Sequence, residues 1–152
     1  MKPIYVLNGP NLNLLGARQP ELYGAETLAG IEARLHARAA GLGLAIDFRQ
    51  TNYEGVLIDS IHEARVKASA IIINAAGLSH TSVSVLDALL ASDLPVIEVH
   101  LTNIYRREAF RHHSYVSAAA TGIICGLGAQ GYELALDALA GRLQADVEKL
   151  DV

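Results

Sequence analysis

The sequence contains a single cysteine, Cys125, and therefore cannot form an intramolecular disulfide. Chains without disulfides are typical of reducing compartments, which favours a cytoplasmic location. The chain also lacks an excess of basic residues, since its net charge is −4 and its pI is near 5.8. A general nucleic-acid binder usually carries a strong basic excess, so we expect no nucleic-acid partner.

Membrane and cofactor signals are equally scarce. No apolar run reaches the roughly 18 residues that a membrane-spanning helix needs, and the run near the N-terminus is too short for a signal-peptide core. The chain has neither a P-loop nor a cluster of metal ligands at zinc spacing. None of the three lysines, Lys2, Lys67 and Lys149, lies in a segment that would desolvate a Schiff-base amine.

Length and hydrophobicity indicate one domain with a sizeable core, because the chain has 152 residues of which 51% are hydrophobic. Short apolar runs predict five strands, at 4–7, 44–48, 70–73, 95–99 and 121–125. Apolar residues at helical spacing predict four helices, around 28–39, 57–68, 79–92 and 136–147.

The predicted strands are continuous β-branched runs, which is typical of strands covered on both faces. Their alternation with helices predicts an α/β fold with a five-stranded parallel sheet and helices on both sides. The flavodoxin-like three-layer sandwich, with strand order 2-1-3-4-5, is the usual arrangement for this element count. Ligands in such folds bind near the carboxyl ends of strands one and three. We therefore expect the site in the loops after Leu7 and Ile73, beside the loop after Val99.

The loop after the first strand, residues 8–24, is long for a strand-to-helix connection, which usually takes two to six residues. It holds three asparagines together with Arg18 and Tyr23. Two interpretations stay open for this segment. It is a lid or binding loop, or it is a surface loop whose polar side chains satisfy turns.

The loop after the third strand, at 74–82, combines a glycine and a histidine with three hydroxyl residues that are candidate helix N-caps, Ser79, Thr81 and Ser82. Gly77 permits close backbone approach, and a helix N-terminus capped by a hydroxyl attracts anions. His80 lies beside these caps. Ordinary helix capping and a turn would explain the same residues without a ligand.

Glu98 and His100 lie at i and i+2 near the end of the fourth strand, so both side chains point to one face. A carboxylate beside an imidazole fixes its tautomer and favours its protonated form, as a general acid near neutral pH requires. The alternative is a purely structural hydrogen bond between the two side chains.

A basic cluster follows that strand and contains Arg106, Arg107, Arg111, His112 and His113. Arginine suits planar, bidentate recognition of a carboxylate or phosphate. A run of charges is more often a solvated face, which is the interpretation favoured for Arg106.

Taken together, the loops resemble one family. Five motifs carry the resemblance: NGPNLN at 8–13, RxPxxYG at 18–24, NxxGxxHTS at 74–82, EVHxTN at 98–103 and RExFRxHSY at 107–115. In this order, from about residue 4 to residue 140, they resemble type II 3-dehydroquinate dehydratase. The resemblance implies a flavodoxin-like fold and a hydro-lyase of the shikimate pathway, which leads to chorismate and the aromatic amino acids.

The reaction that the resemblance implies is an anti elimination of water from 3-dehydroquinate, through an enolate, to give 3-dehydroshikimate. It implies no metal, no organic cofactor and no Schiff base. It also implies a homo-oligomer, a dodecamer built from trimers, in the cytoplasm. Residues 1–152 would form one domain, with a lid at about 16–24.

The same resemblance implies catalytic roles for five residues. Tyr23 would be the base, and Arg18 in the same lid would lower the pKa of the tyrosine. His100 would be the general acid, held by Glu98. Asn11 would help to hold a water that bridges to the enolate oxygen.

Further residues would bind the substrate's hydroxyls and carboxylate, namely Asn74, His80, Arg111 and the backbone at Leu101 and Thr102. Asp87 would reach the site of a neighbouring subunit. Leu78 and Arg106 depart from common family residues, an aromatic and an alanine respectively. These departures bear on lid packing and leave the implied catalytic set intact.

The main alternative is a flavodoxin-like module that binds a nucleotide or flavin. Its first loop would be rich in Ser, Thr and Gly, whereas this loop has Asn, Pro and Leu. A receiver-type signalling domain would need an acidic cluster at the end of the first strand, where Asn8 and Gly9 stand. A non-catalytic scaffold subunit would have no reason to keep Tyr23, Arg18 and His100 together.

Overall fold

The computed structural model describes residues 1–23 and 25–150, without the side chains of Tyr23 and Leu150. Five strands alternate with helices along the described chain. The strands are β1 (Ile4–Asn8), β2 (Ile46–Gln50), β3 (Ala70–Asn74), β4 (Val96–His100) and β5 (Gly122–Cys125). The α-helices are α1 (Pro20–Tyr23), α2 (Leu28–Gly41), α3 (Glu54–Lys67), α4 (Val83–Ser92) and α5 (Gln130–Leu150). Short 3-10 helices lie at Leu12–Leu14, Ala76–His80, Ile104–Arg106, Ala109–Arg111 and Val116–Ala118.

The strands form one parallel sheet in the order β2-β1-β3-β4-β5, so the predicted flavodoxin-like topology is confirmed. The chain winds outwards from β1 to β2, then crosses back to β3 on the other side of β1. In the register of this central pair, Asn8 lies opposite Asn74. Two asparagines thus end adjacent strands at the place where the winding reverses.

Helices cover both faces of the sheet. One apolar cluster joins alternate strand residues, such as Val6 and Ile72, to the inner faces of α2 and α5. The second cluster joins the intervening residues, such as Leu7 and Ile73, to α3 and α4. Burial on both faces explains why the central strands read as unbroken apolar runs.

The edge strands differ from this prediction. In β2 every residue after Ile46 is only half-buried, and Ile123 in β5 is 46% exposed. Each edge strand has a single neighbouring strand, and its outer side is open. The interpretation of an apolar run as a strand buried on both faces therefore holds for β1, β3 and β4, and not for the edge strands β2 and β5.

The predicted helix at 79–92 begins later than expected. Residues Ala76–His80 form a 3-10 helix, and α4 starts only at Val83. The hydroxyl of Ser82 accepts a hydrogen bond from the backbone N–H of Val85 at 2.9 Å, which makes Ser82 the N-cap. Of the three candidate caps, Ser82 is the one whose side chain accepts a hydrogen bond from a free backbone N–H of the helix. No helix within the described residues is long and apolar enough to cross a membrane.

Candidate active site

A cleft of about 180 Å³ opens at the carboxyl ends of β1, β3 and β4. It lies where the sequence places it, between the loops that follow these three strands. Eight of the eleven residues predicted for the site line it: Asn11, Arg18, Asn74, His80, His100, Leu101, Thr102 and Arg111. The other three are Glu98, which lies behind His100, Asp87, which lies elsewhere, and Tyr23, whose side chain is outside the described residues.

The Glu98–His100 pair is the most deeply buried ionisable group in this cleft. Glu98 is 0% exposed and His100 is 5% exposed. The Nε2–H of His100 donates to Oε2 of Glu98 at 2.5 Å. The second carboxylate oxygen, Oε1, accepts from the hydroxyl of Ser117 at 2.6 Å. The carboxylate therefore holds the ring by one nitrogen and leaves Nδ1 as the nitrogen available for chemistry.

The environment of Glu98 keeps it ionised. Burial raises the pKa of its carboxyl, but the hydrogen bonds from His100 and Ser117 and the positive charge of His100 outweigh that effect, and the net pKa lies below its usual value. The ionised carboxylate is fixed directly behind the ring of His100, an arrangement that suits a general acid as well as a structural hydrogen bond.

His80 stacks on His100, with the two ring centroids 6.2 Å apart and an interplanar angle of 19°. Its Nδ1–H donates to the backbone carbonyl of His113 at 2.7 Å. Burial is the main cause that lowers the pKa of His80, and the positive charges of His100 and Arg111 lower it further. His80 is therefore neutral near pH 7, and its Nε2 is a hydrogen-bond acceptor.

The loops after β1 and β3 are locked against each other through Gly9. Its N–H donates to the carbonyl of Asn74 at 2.8 Å, and a Cβ on Gly9 would lie 2.4 Å from the carbonyl oxygen of Ala75. Only glycine permits this approach. Ala76 adopts a positive φ of 52°, which its N–H supports by donating to Oδ1 of Asn74 at 3.2 Å. This packing fixes one wall of the cleft.

The first loop is partly ordered by short helices. Asn11 has a left-handed conformation, and its N–H donates to Oδ1 of Asn52 at 3.0 Å. Further along, Gly16 has a φ of +89°, and a Cβ there would lie 3.1 Å from the carbonyl oxygen of Ala25. Gly16 and Ala25, which flank the segment that carries Arg18, therefore lie side by side.

Two arginines of the basic cluster reach the cleft. Arg111 lines it and donates from Nε to Glu108 at 2.8 Å. Arg107 also lines it and lies 3.4 Å from the hydroxyl of Thr102, although the sequence interpretation gives it no role beyond the cluster. Its spacing of four residues from Arg111 does not predict this, because no single helix contains both residues. Arg106 is exposed, in keeping with a solvated position.

Comparison with known proteins agrees with this geometry. The model of the class II dehydroquinase family matches residues 2–140. The chain belongs to the class II dehydroquinase family. The 3-dehydroquinate dehydratase of Caulobacter vibrioides is 58% identical over 145 residues, covering 95% of this chain and 99% of that protein. The one from Methylobacterium radiotolerans is 61% identical over 137 residues, covering 90% and 92%.

The fold agrees as well as the sequence does. The crystal structure of a type II dehydroquinase from Propionibacterium acnes superposes with a TM-score of 0.90. It is 48% identical and covers 93% of this chain and 97% of its own. The family therefore accounts for the sheet order and for nearly the whole described chain.

Some residues of this dehydroquinase-family chain stand apart from the cleft. Asp87 is exposed on α4 and does not line it. Leu78 is half-buried against the apolar cluster under α3 and α4. Within residues 1–23 and 25–150, no group of three or more His, Cys, Asp or Glu side chains is placed to hold a metal ion.

A buried tyrosine, Tyr132, lies beneath the site, and no sequence pattern predicts it there. Tyr132 is 0% exposed, and its hydroxyl lies within hydrogen-bonding distance of Asn8 and Asn74. Burial raises the pKa of this phenol far above its usual value, so it stays neutral. Its position among apolar residues of α5 reads as simple core packing, which is why no sequence pattern distinguishes it.

Proposed function

We propose that this chain is a 3-dehydroquinate dehydratase, a hydro-lyase of the shikimate pathway that supplies chorismate and the aromatic amino acids. The observation that carries the proposal is the buried Glu98–His100 pair, which opens into a cleft lined by three arginines, Arg18, Arg107 and Arg111. The names of the relatives that are 58% and 61% identical support it.

The reaction needs a base and an acid. A proton leaves the carbon beside the ketone and gives an enolate. The C–O bond of the hydroxyl on the next carbon then breaks, the hydroxyl leaves as water, and a double bond conjugated with the ketone forms. In an anti elimination the proton and the hydroxyl leave from opposite faces of the ring. Two groups on separate walls of a cleft suit this requirement.

Tyr23 is our proposed base, and Arg18 is the group that activates it. An ordinary tyrosine has a pKa of about 10, so a shift to near 7 requires roughly 4 kcal/mol, at 1.36 kcal/mol per unit. A guanidinium within a few ångströms, in a site closed to water, can supply it. We propose that residues 1–152 form one domain and that the segment at about 16–24 closes as a lid to bring the two side chains together.

His100 is our proposed general acid. Because Glu98 holds Nε2, the proton for the departing hydroxyl would come from Nδ1. The ionised carboxylate stabilises the imidazolium before that transfer, and the hydroxyl of Ser117 keeps the carboxylate in place. This arrangement gives His100 a fixed orientation as well as a proton.

The remaining cleft residues would bind the substrate. A guanidinium can clamp a carboxylate bidentately, which we assign to Arg111. Neutral His80 and the amide of Asn74 would bind ring hydroxyls, and the backbone at Leu101 and Thr102 would bind the carboxylate. Asn11 would hold a water that donates to the enolate oxygen, because a developing oxyanion needs a donor.

We also propose that the reaction uses no metal, no organic cofactor and no Schiff base. The protein would work in the cytoplasm as a dodecamer built from trimers, in which Asp87 reaches a neighbouring subunit's cleft. The exposure of Asp87 on α4, away from its own cleft, is compatible with that role.

One assay tests the activity. Chelator-treated protein is mixed with 3-dehydroquinate, and the ultraviolet absorbance of the conjugated product is followed. We expect rapid turnover that survives borohydride treatment in the presence of substrate. His62→Ala, which removes an exposed imidazole on α3, is the matched control for His100→Ala and should retain full activity. No product from wild-type protein, or a yellow protein with bound flavin, would refute the proposal.

A further inference from the structure

The hydroxyl of Tyr132 joins the ends of two strands beneath the cleft. It donates to Oδ1 of Asn8 at 2.7 Å and accepts from Nδ2 of Asn74 at 3.0 Å. Asn8 and Asn74 are register partners on β1 and β3, and both are almost fully buried. The tyrosine comes from α5, so its contacts with these asparagines link positions 124 and 58 residues apart along the chain.

Asn8, Tyr132 and Asn74 form a series of hydrogen bonds, and the backbone groups at its two ends determine which group donates and which accepts at every step. At one end the backbone carbonyl of Arg49 can only accept, so Asn8 presents Nδ2 to it, at 3.0 Å, and presents Oδ1 to the phenol. At the other end the backbone N–H of Ala76 can only donate, so Asn74 presents Oδ1 to it, at 3.2 Å, and Nδ2 to the phenol. The group between the two amides must therefore donate a hydrogen bond to Asn8 and accept one from Asn74, and the phenol of Tyr132 does both.

This arrangement also determines what Asn74 presents to the cleft that it lines. One N–H of its amide and one lone pair of its carbonyl oxygen are engaged below, towards Tyr132 and Ala76. One N–H and one lone pair are left. With the amide rotated by 180°, the oxygen would face the phenol and the nitrogen would face the N–H of Ala76, donor against donor.

We propose that Tyr132 is a positioning residue, which sets the orientation of the Asn74 amide for substrate binding. The consequence for binding depends on the activity proposed above, whereas the orientation itself does not. A phenylalanine at this position would fill the same apolar space between α5 and the sheet. It would leave Oδ1 of Asn8 and Nδ2 of Asn74 buried without their partner, and the amide of Asn74 would lose its preferred orientation.

The first test is a kinetic cycle with Tyr132→Phe, Asn74→Ala and the double variant. Loss of one positioned hydrogen bond to substrate corresponds to a rise in KM of about five- to tenfold. Because the amide acts in binding rather than in bond breaking, kcat should stay within about threefold. In the Asn74→Ala background, Tyr132→Phe should produce no further rise in KM, since the residue through which it acts is gone.

Two controls separate positioning from lost stability. Tyr5→Phe removes a buried phenol from the opposite face of the sheet, and Leu139→Ala creates a cavity in the cluster that contains Tyr132. Both should leave KM unchanged, even where Leu139→Ala lowers the melting temperature as much as Tyr132→Phe does. An unchanged KM in Tyr132→Phe, or an equal rise in the Leu139→Ala control, would overturn the proposal.

A neutron structure of the wild-type protein tests the orientation without any variant and without activity. We expect the deuteron of the Tyr132 hydroxyl to point to Asn8 and the deuterated amide nitrogen of Asn74 to face Tyr132. The opposite orientation of either group would refute the inference, even if Tyr132→Phe failed to fold. If wild-type protein did not turn over 3-dehydroquinate, the proposed activity would fail while this structural test still decided the orientation.

Discussion

Replacing Glu98 by Gln is the most informative single change in the proposed acid. The substitution keeps the size of a side chain that is fully buried and hydrogen-bonded through both of its oxygens. It removes the negative charge that stabilises the His100 imidazolium. Two unit charges about 4 Å apart interact by about 4 kcal/mol at an effective dielectric constant near 20. The neutral amide still forms a hydrogen bond, so we expect a net loss of about 2–3 kcal/mol in transition-state stabilisation.

That loss corresponds to a fall in kcat of roughly 30- to 150-fold. The assay is steady-state turnover of 3-dehydroquinate near neutral pH, with circular dichroism to show that the variant is folded. Glu54→Gln is the matched control, because Glu54 is exposed at the start of α3 and should have no effect. A kcat for Glu98→Gln within threefold of wild type would mean that the carboxylate is structural and that our acid assignment is wrong.

Three further predictions follow from the lid, the loop contact and the buried carboxyl. Tyr23→Phe and Arg18→Ala should each lose most of the turnover while a titration still detects substrate binding; near-normal turnover in Tyr23→Phe would eliminate tyrosine as the base. Gly9→Ala should lower the free energy of unfolding by about 2 kcal/mol or more, since its Cβ would lie 2.4 Å from a backbone oxygen. Gly55→Ala is the control, because Gly55 has open space around it, and it should raise the free energy of unfolding by roughly 0.5–1 kcal/mol. Denaturant titrations of both variants measure these changes. The pKa of Glu98 lies below its ordinary 4.5, so ionised Glu98 stabilises the fold above pH 4.5 and this contribution is lost as pH falls through the lowered pKa. Unfolding of Glu98→Gln should therefore depend less on pH below 4.5 than unfolding of wild type, and identical acid profiles would contradict this.

The sheet order and the place of the cleft could be predicted because they depend on local patterns. Unbroken apolar runs such as 70–73 identify strands buried on both faces, and the order of parallel strands sets where their loops meet. Alternation along one strand was enough to place Glu98 and His100 on one face, and their hydrogen bond confirms it. Each of these inferences needs only residues close together in sequence.

The features that escaped prediction depend on distant residues. The start of α4 is decided by the hydrogen bond of Ser82, for which Ser79 was an equally good candidate in sequence. The polarity of Tyr132 matters only because two asparagines from other elements end beside it. Arg107 reaches the cleft because the 3-10 helices after β4 turn it inwards rather than towards solvent. Side-chain partners of this kind are set by packing, which no local pattern records.

A crystal structure of the protein with a cyclohexane carboxylate that mimics the substrate would test the central claim most directly. We predict that the carboxylate contacts Arg111 and that the ring lies between the Tyr23 hydroxyl and the His100 imidazole. Each of these groups should lie within about 3.5 Å of the ring substituent or carbon on which it acts, and on opposite faces of the ring. A ring bound away from the phenol and the imidazole, or both groups on the same face, would contradict the account.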